Sequence, residues 1–188
     1  MLRKNVVPQA VLENAKIPAV SAAWYQDNTM HLLTGGVSDQ SNPKLVDEFT
    51  LFQAASLSKP VSAAIVLDLV EQGQWDLDKP LAQIAAFGSA DMRKDPNYEE
   101  LTTRMIIGQA SGLPNWFESG SKETFIAKPD SYFIYSGVAF QCLKDVIEEK
   151  TGKTSETLAQ EFFKKARMEH STFKQPIATH LKESIVAR

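Results

Sequence analysis

Ser56 and Lys59 stand three residues apart in LFQAASLSKPVSAAIVLDLV, residues 51–70, at the mouth of a long apolar run. A serine hydroxyl becomes a nucleophile when a base lies within reach. A lysine amine serves as that base where burial disfavours its charged form. Residues three apart on a helix are neighbours, so the amine and the hydroxyl can meet. The same spacing occurs four times, at Ser41–Lys44, Ser56–Lys59, Ser119–Lys122 and Ser171–Lys174. Three of these lie in polar, loop-like sequence, where a solvated lysine keeps its proton and cannot act as a base. Ser56–Lys59 alone opens an apolar helix. There the positive end of the helix macrodipole favours negative charge developing near Ser56, whose backbone N–H is a candidate oxyanion donor. Pro60 has no N–H, which a first helical turn tolerates. The same residues also fit a serine cap beside a lysine that snorkels to water, and the spacing alone does not choose between the two.

The elements that must position such a pair follow from hydrophobic period and turn chemistry. Residues 6–15 read as a short helix with Pro8 near its start. Residues 19–25 and 30–34 read as the two strands of a hairpin turned at Asp27-Asn28. A brief strand is expected at 50–53. From 57 to 72 the apolar residues cover nearly the whole circumference, which predicts a helix buried on most sides and ended at Gly73. A short mixed segment, 79–87, and a polar loop, 88–100, come next. Thr102 or Thr103 then caps a helix to about Ala110, stopped by Ser111-Gly112-Leu113-Pro114. Residues 138–149 form an amphipathic helix carrying Val138, Cys142, Val146 and Ile147. Ser155 is expected to cap the next helix, with Leu158, Phe162 and Phe163 inward. Trp24 and Trp75 read as core, and Asp76 and Asp78 as turn or cap residues. A hairpin by itself is marginal in water. No strongly patterned third strand appears, so the sheet reads as incomplete, with an open edge suited to self-association.

The 188 residues, 43% apolar and 23% charged, suit one globular domain rather than a disordered chain. A net charge of −3 without long runs offers no footprint for nucleic acid. The one basic cluster, Lys164, Lys165 and Arg167, reads as a solvated helix face. No apolar run is long enough for a transmembrane segment, and MLRKNVVPQA carries no signal-peptide core. The single cysteine, Cys142, falls in an apolar helical pattern and reads as core. His31, His170 and His180 have no metal-ligand spacing, so neither a metal nor a cofactor is expected.

The segment FTLFQAASLSKPVSA resembles the active-site segment of the serine β-lactamase and penicillin-binding-protein superfamily, in particular class C β-lactamases, DD-peptidases and related esterases. Four more stretches resemble the same family in the same order. AVSAAWYQDNTMHLLTGGVSD is similar to its N-terminal hairpin, and LTTRMIIGQASGLPNW to a helix and turn that in relatives often read like LLxHxSGL. YSG, Tyr135 to Gly137, stands where the second motif, Tyr-x-Asn, is expected. VAFQCLKDVIEEKTGKTSETLAQEFFKKARMEHSTF is similar to the helix pair that follows. The likeness spans most of residues 17 to 175.

The resemblance implies an α+β, β-lactamase/transpeptidase-like fold, in which the N-terminal hairpin of a mainly antiparallel sheet precedes a helical region. The chain would be a single incomplete domain, residues 1–55 its sheet part and 56–188 mainly helical, with the C-terminal strands missing. Ser56 would form the acyl-enzyme, Lys59 would be its proton partner, and Tyr135 a second acid/base. A tyrosine fills that role when a cation such as Lys59 brings its pKa down from about 10. Gly137 and Trp116 are the candidate substrate contacts, and the substrate would be a small molecule or a peptidoglycan-like peptide in the periplasm or outside the cell. Two departures stand out. Gly137 replaces the usual asparagine, whose amide holds substrate and lysine, which points to altered substrate choice. Lys150-Thr151-Gly152 matches the third motif in letters, yet it directly follows a helix only fifteen residues after Tyr135, so it reads as a helix end. The rival to a hydrolase is a non-catalytic binding domain or a truncated, inactive fragment.

Overall fold

The computed structural model describes residues 2–39 and 43–177. The chain divides into two compact units, one of Met1–Ala54 with Glu169–Arg188 and the other of Ala55–Met168.

The first unit is built on a three-stranded sheet. Strands β2 (Ala19–Gln26) and β3 (Thr29–Gly36) pair antiparallel from Ala19 opposite Gly36 to Gln26 opposite Thr29. Asp27 and Asn28 both take positive φ, 49° and 56°, as the primed turn of a tight hairpin requires. The third strand, β1 (Leu2–Val6), runs parallel to β3 with Leu2 opposite Met30, which corrects the expectation of a two-stranded sheet. All five β1 residues are exposed, so the strand rests on backbone pairing and leaves no burial pattern to read. The sheet is therefore mixed, in the order β1-β3-β2, and among the described residues no strand pairs with the outer edge of β1 or of β2. Helix α1 (Gln9–Ala15), entered through Pro8, buries Leu12. Residues 50–53 hold only a single bridge position, at Leu51, in place of the expected strand. Trp24 is not core. It is 41% exposed and stacks on His31, its cross-strand partner, with ring centroids 4.8 Å apart.

The second unit is helical. Helix α2 (Ser58–Glu71) buries Ile65, Val66 and Leu69 but leaves Leu67 46% exposed, so it is buried on one side rather than on most. It packs on α5 (Ser155–Ala166), where the Lys165 ammonium reaches both oxygens of Asp68 at 2.6 and 2.8 Å. The polar loop expected at 88–100 instead folds as two 3-10 turns, Met92–Lys94 and Pro96–Glu100, which bury Met92 and Tyr98. Thr102 caps α3 (Thr103–Ile107), which ends earlier than expected because Gln109 turns left-handed at φ 58°. Trp75 is buried, and its indole N–H donates to Thr103 Oγ1 at 2.9 Å. Asp78 bonds Arg104 bidentately, and its backbone N–H closes a turn on Asp76 Oδ1.

Ser136 caps α4 (Gly137–Thr151), which buries Cys142, Val146 and Ile147. Burial pushes the Cys142 thiol up to about 12, as suits a core residue. Gly152, at φ 65°, ends α4, so Lys150-Thr151-Gly152 is a helix terminus, with the Lys150 amine 5.0 Å above the Trp75 ring. Thr154 rather than Ser155 caps α5, its hydroxyl accepting the Thr157 N–H at 3.2 Å, while the Ser155 N–H goes to Glu148 Oε1 at 2.6 Å. Leu158 and Phe163 point inward as expected, while Phe162 is half-buried. Among the described residues no helix is long and apolar enough to cross a membrane.

Candidate active site

Ser56 lies in the 3-10 turn Ala55–Leu57, which leads directly into α2. The turn starts from Ala55 at φ 46°, a left-handed conformation that costs a residue with a Cβ about 1–3 kcal/mol. That residue directly precedes the serine. No side chain caps α2, so the Ser56 hydroxyl is not consumed as a helix cap. Lys59, in the first turn of α2, donates from Nζ to Ser56 Oγ at 3.0 Å and to Tyr135 Oη at 3.1 Å. Its amine also lies 4.6 Å from the centroid of the Tyr135 ring and 5.9 Å from that of Phe140. One amine thus joins the hydroxyl of Ser56 to that of Tyr135, which lies 76 residues beyond Lys59 in the chain. Lys59 is half-buried and Ser56 exposed, so shielding from water is less complete than the sequence suggested.

Tyr135 is the residue before the cap of α4. Its phenol is held below the ordinary tyrosine range, first by its hydrogen bond with the Ser56 hydroxyl and then by that with Lys59; burial opposes them, and the Lys59 charge adds the least. The result is a serine, an amine and an acidified phenol in mutual contact. This arrangement can withdraw a proton from Ser56 and return one to a leaving group.

The platform under Tyr135 comes from the segment after α3. The Gly112 carbonyl accepts the Ile126 and Ala127 N–H groups, and Ala110 accepts that of Asp130. A Cβ at Gly112 would lie 2.2 Å from the Ala127 carbonyl, and φ is 73° there, so only glycine fits this approach. The Ser136 hydroxyl donates to the Pro114 carbonyl at 2.8 Å and accepts the Ala139 N–H at 2.9 Å, which fixes the entrance to α4.

Gly137, the first residue of α4, is a different case. Its backbone is ordinary, but a Cβ there would lie 2.9 Å from the Asn115 carbonyl, 3.1 Å from Asn115 Oδ1 and 3.4 Å from Trp116 Cζ3. Trp116, 72% exposed, therefore flanks the α4 entrance beside Tyr135. Space here goes to the Asn115–Trp116 loop and not to a side chain at 137. Asn115 Oδ1 is buried without a hydrogen-bond partner among the described residues. We expect Gly137→Ala to lower stability by about 1–3 kcal/mol through overpacking against the Asn115 carbonyl, despite alanine's better helix propensity. Thermal unfolding of the two chains checks this.

All five expected site residues, Ser56, Lys59, Tyr135, Gly137 and Trp116, fall within the second unit. Lys59 bonds both Ser56 and Tyr135, and Trp116 lies against the position a Cβ at Gly137 would occupy. Of the other Ser-x-x-Lys pairs, Ser119–Lys122 and Lys174 are exposed, and Ser41 and His180 lie outside the described residues. His31 is stacked on Trp24 and His170 sits edge-on to Phe49. No cluster of three or more His, Cys, Asp or Glu side chains placed to hold a metal occurs among the described residues. Asn115 and Gln109 were not singled out by sequence. Their contacts are made to backbone groups distant in the chain, which carry no side-chain signal.

Against known proteins, the sequence profile of the Beta-lactamase family matches residues 7–186. Penicillin-binding protein 4 of Amycolatopsis lactamdurans is 23% identical over 154 residues, 73% of this chain and 40% of that protein. Esterase EstB of Burkholderia gladioli is 27% identical over 121 residues, 64% of this chain and 30% of that protein. The chain thus spans well under half the length of these curated relatives. A mutant class C beta-lactamase superposes with a TM-score of 0.79 at 17% identity, over 95% of this chain and 51% of that one, which establishes the β-lactamase-like fold.

Proposed function

The chain belongs to the beta-lactamase family, and from that premise we propose that it is a serine hydrolase acting on amide or ester carbonyls through an acyl-enzyme on Ser56. The observation that carries this reading is the Lys59 amine within hydrogen-bond distance of both Ser56 Oγ and Tyr135 Oη. Ser56 Oγ attacks the carbonyl carbon while its proton passes to the Lys59–Tyr135 pair. The Ser56 backbone N–H, at the positive end of α2, faces the developing oxyanion. The carbonyl–leaving-group bond then breaks, and the alcohol or amine departs with a proton from the same pair. Water next attacks the acyl carbon, gives its proton back through the pair, and frees Ser56. No cofactor enters this cycle. Trp116 and the glycine-lined entrance of α4 are the contacts proposed for the substrate, a small molecule or a peptidoglycan-like peptide.

A second reading, a binding domain without turnover, is favoured by one observation: Ser56 is exposed and Tyr135 is 42% exposed, so water reaches the nucleophile freely. The two are separated by incubating the chain with a fluorophosphonate and with p-nitrophenyl butyrate. A hydrolase gains the phosphonyl mass and releases p-nitrophenol. A binding domain does neither.

The pH dependence follows from the acidified phenol. The phenolate is the proton-accepting form, so acylation should speed up as pH rises through the lowered Tyr135 value and level off before the ordinary value of about 10. Tyr135→Phe should slow acylation about 100-fold and flatten that limb. A pH series of acylation rates on both chains measures it.

A further inference from the structure

Tyr135 is bracketed by a single residue. The Gln109 backbone carbonyl accepts the Ile134 N–H at 2.7 Å, and the Gln109 side-chain Oε1 accepts the Ser136 N–H at 2.7 Å. Ile134 and Ser136 are the two neighbours of Tyr135, so both flanks of the tyrosine are tied to one residue. Ser136 is fully buried, which makes its N–H dependent on a protein acceptor. The donor fixes the Gln109 amide with its oxygen toward Ser136. Gln109 can make both bonds because it sits in the left-handed region at φ 58°, just past α3, where its carbonyl and side chain turn to the same segment. The remaining neighbours do not duplicate this hold. Ser136 Oγ to Pro114 and Ala139 N–H to Ser136 Oγ fix the start of α4 but leave the peptide before Tyr135 free.

We infer that Gln109 is a positioning residue for the reaction, holding the Tyr135 phenol against Ser56 and Lys59. This role rests on the hydrolase reading of Tyr135. Gln109 does not touch the reacting atoms. It sets where Oη lies, and a displacement of about 1 Å in such a group can cost a hundredfold in rate. The charged group facing the phenol is Lys59 from α2, and its neutral partner is Ser56. Loosening the tyrosine weakens both contacts together.

The test uses Gln109→Met, which keeps side-chain length but removes the acceptor, and Gln109→His, which restores an acceptor and tolerates the left-handed backbone. Two quantities are read on the full chain: the ultraviolet phenolate titration of Tyr135, assigned by difference from Tyr135→Phe, and the rate of Ser56 acylation by p-nitrophenyl butyrate. In Gln109→Met the Tyr135 titration should move toward that of an ordinary tyrosine. The saturating acylation rate should fall about tenfold to a hundredfold with little change in the half-saturating concentration. Gln109→His should recover most of both. An unmoved titration in Gln109→Met overturns the hold itself. A moved titration with an unmoved acylation rate overturns the role in the reaction and locates the fault in the reading of Tyr135. Equal losses in Gln109→Met and Gln109→His also overturn it, since they would mean that the acceptor is irrelevant.

Discussion

Ser56→Ala is expected to abolish both covalent labelling by a fluorophosphonate and turnover of p-nitrophenyl butyrate. The substitution removes the hydroxyl that Lys59 bonds, the proposed site of the acyl bond. Loss of a nucleophilic serine in an enzyme of this kind amounts to about a 10⁶-fold drop, in practice to background. Stability is the necessary control. Ser56 is exposed and caps no helix, so its truncation should shift unfolding by no more than about 0.5 kcal/mol. A loss of activity with an unchanged melting temperature separates chemistry from folding. Labelling that persists in Ser56→Ala would place the nucleophile elsewhere.

Lys59→Met should have the next largest effect, a fall of about 10³–10⁴-fold in the acylation rate. The amine bonds both hydroxyls of the site, at 3.0 Å to Ser56 and 3.1 Å to Tyr135, so its removal takes a proton partner from the serine and a cation from the phenol at once. Methionine keeps the length and apolar stem that packs near the Tyr135 and Phe140 rings. The fold should therefore survive. Lys59→Arg is the informative companion. It keeps the charge, but a guanidinium does not give up its proton, and its planar fork cannot sit between two hydroxyls as an ammonium does. Arginine should rescue little. Recovery to within tenfold of the parent rate would mean that Lys59 supplies only charge. Stopped-flow measurement of the p-nitrophenol burst reads all three chains.

The candidate pair was legible because one Ser-x-x-Lys of four opens an apolar helix, a local feature visible without tertiary information. The hairpin was equally legible, since Asp27-Asn28 encodes its turn chemically. Tyr135 was reachable only through resemblance: nothing in FIYSG distinguishes a proton-handling tyrosine from a packing one. The β1 strand was illegible for a physical reason. Its five residues are all exposed and pair through backbone alone, so no apolar alternation marks them. The same holds for Gln109, which meets the Ser136 N–H 27 residues on in the chain, and for Asn115, which lies against the Gly137 position. The partial exposure of α2 departs from its all-round apolar pattern, which foretold burial on most sides. The Gly137 substitution gains a local cause. Against the expectation of altered substrate contacts alone, the glycine is also required by the packing of the Asn115–Trp116 loop.

The chain contains its own controls for the central claim, that the Lys59 amine shared between Ser56 and Tyr135 is what makes one serine reactive. Four serines precede a lysine by three residues, and among the described residues only Lys59 of those lysines also reaches a tyrosine hydroxyl. The direct measurement is peptide mapping by mass spectrometry after brief exposure of the intact chain to a fluorophosphonate. A single phosphonylated residue is expected, Ser56, with Ser41, Ser119 and Ser171 unmodified. Equal modification of those serines, or an adduct anywhere but Ser56, would contradict it.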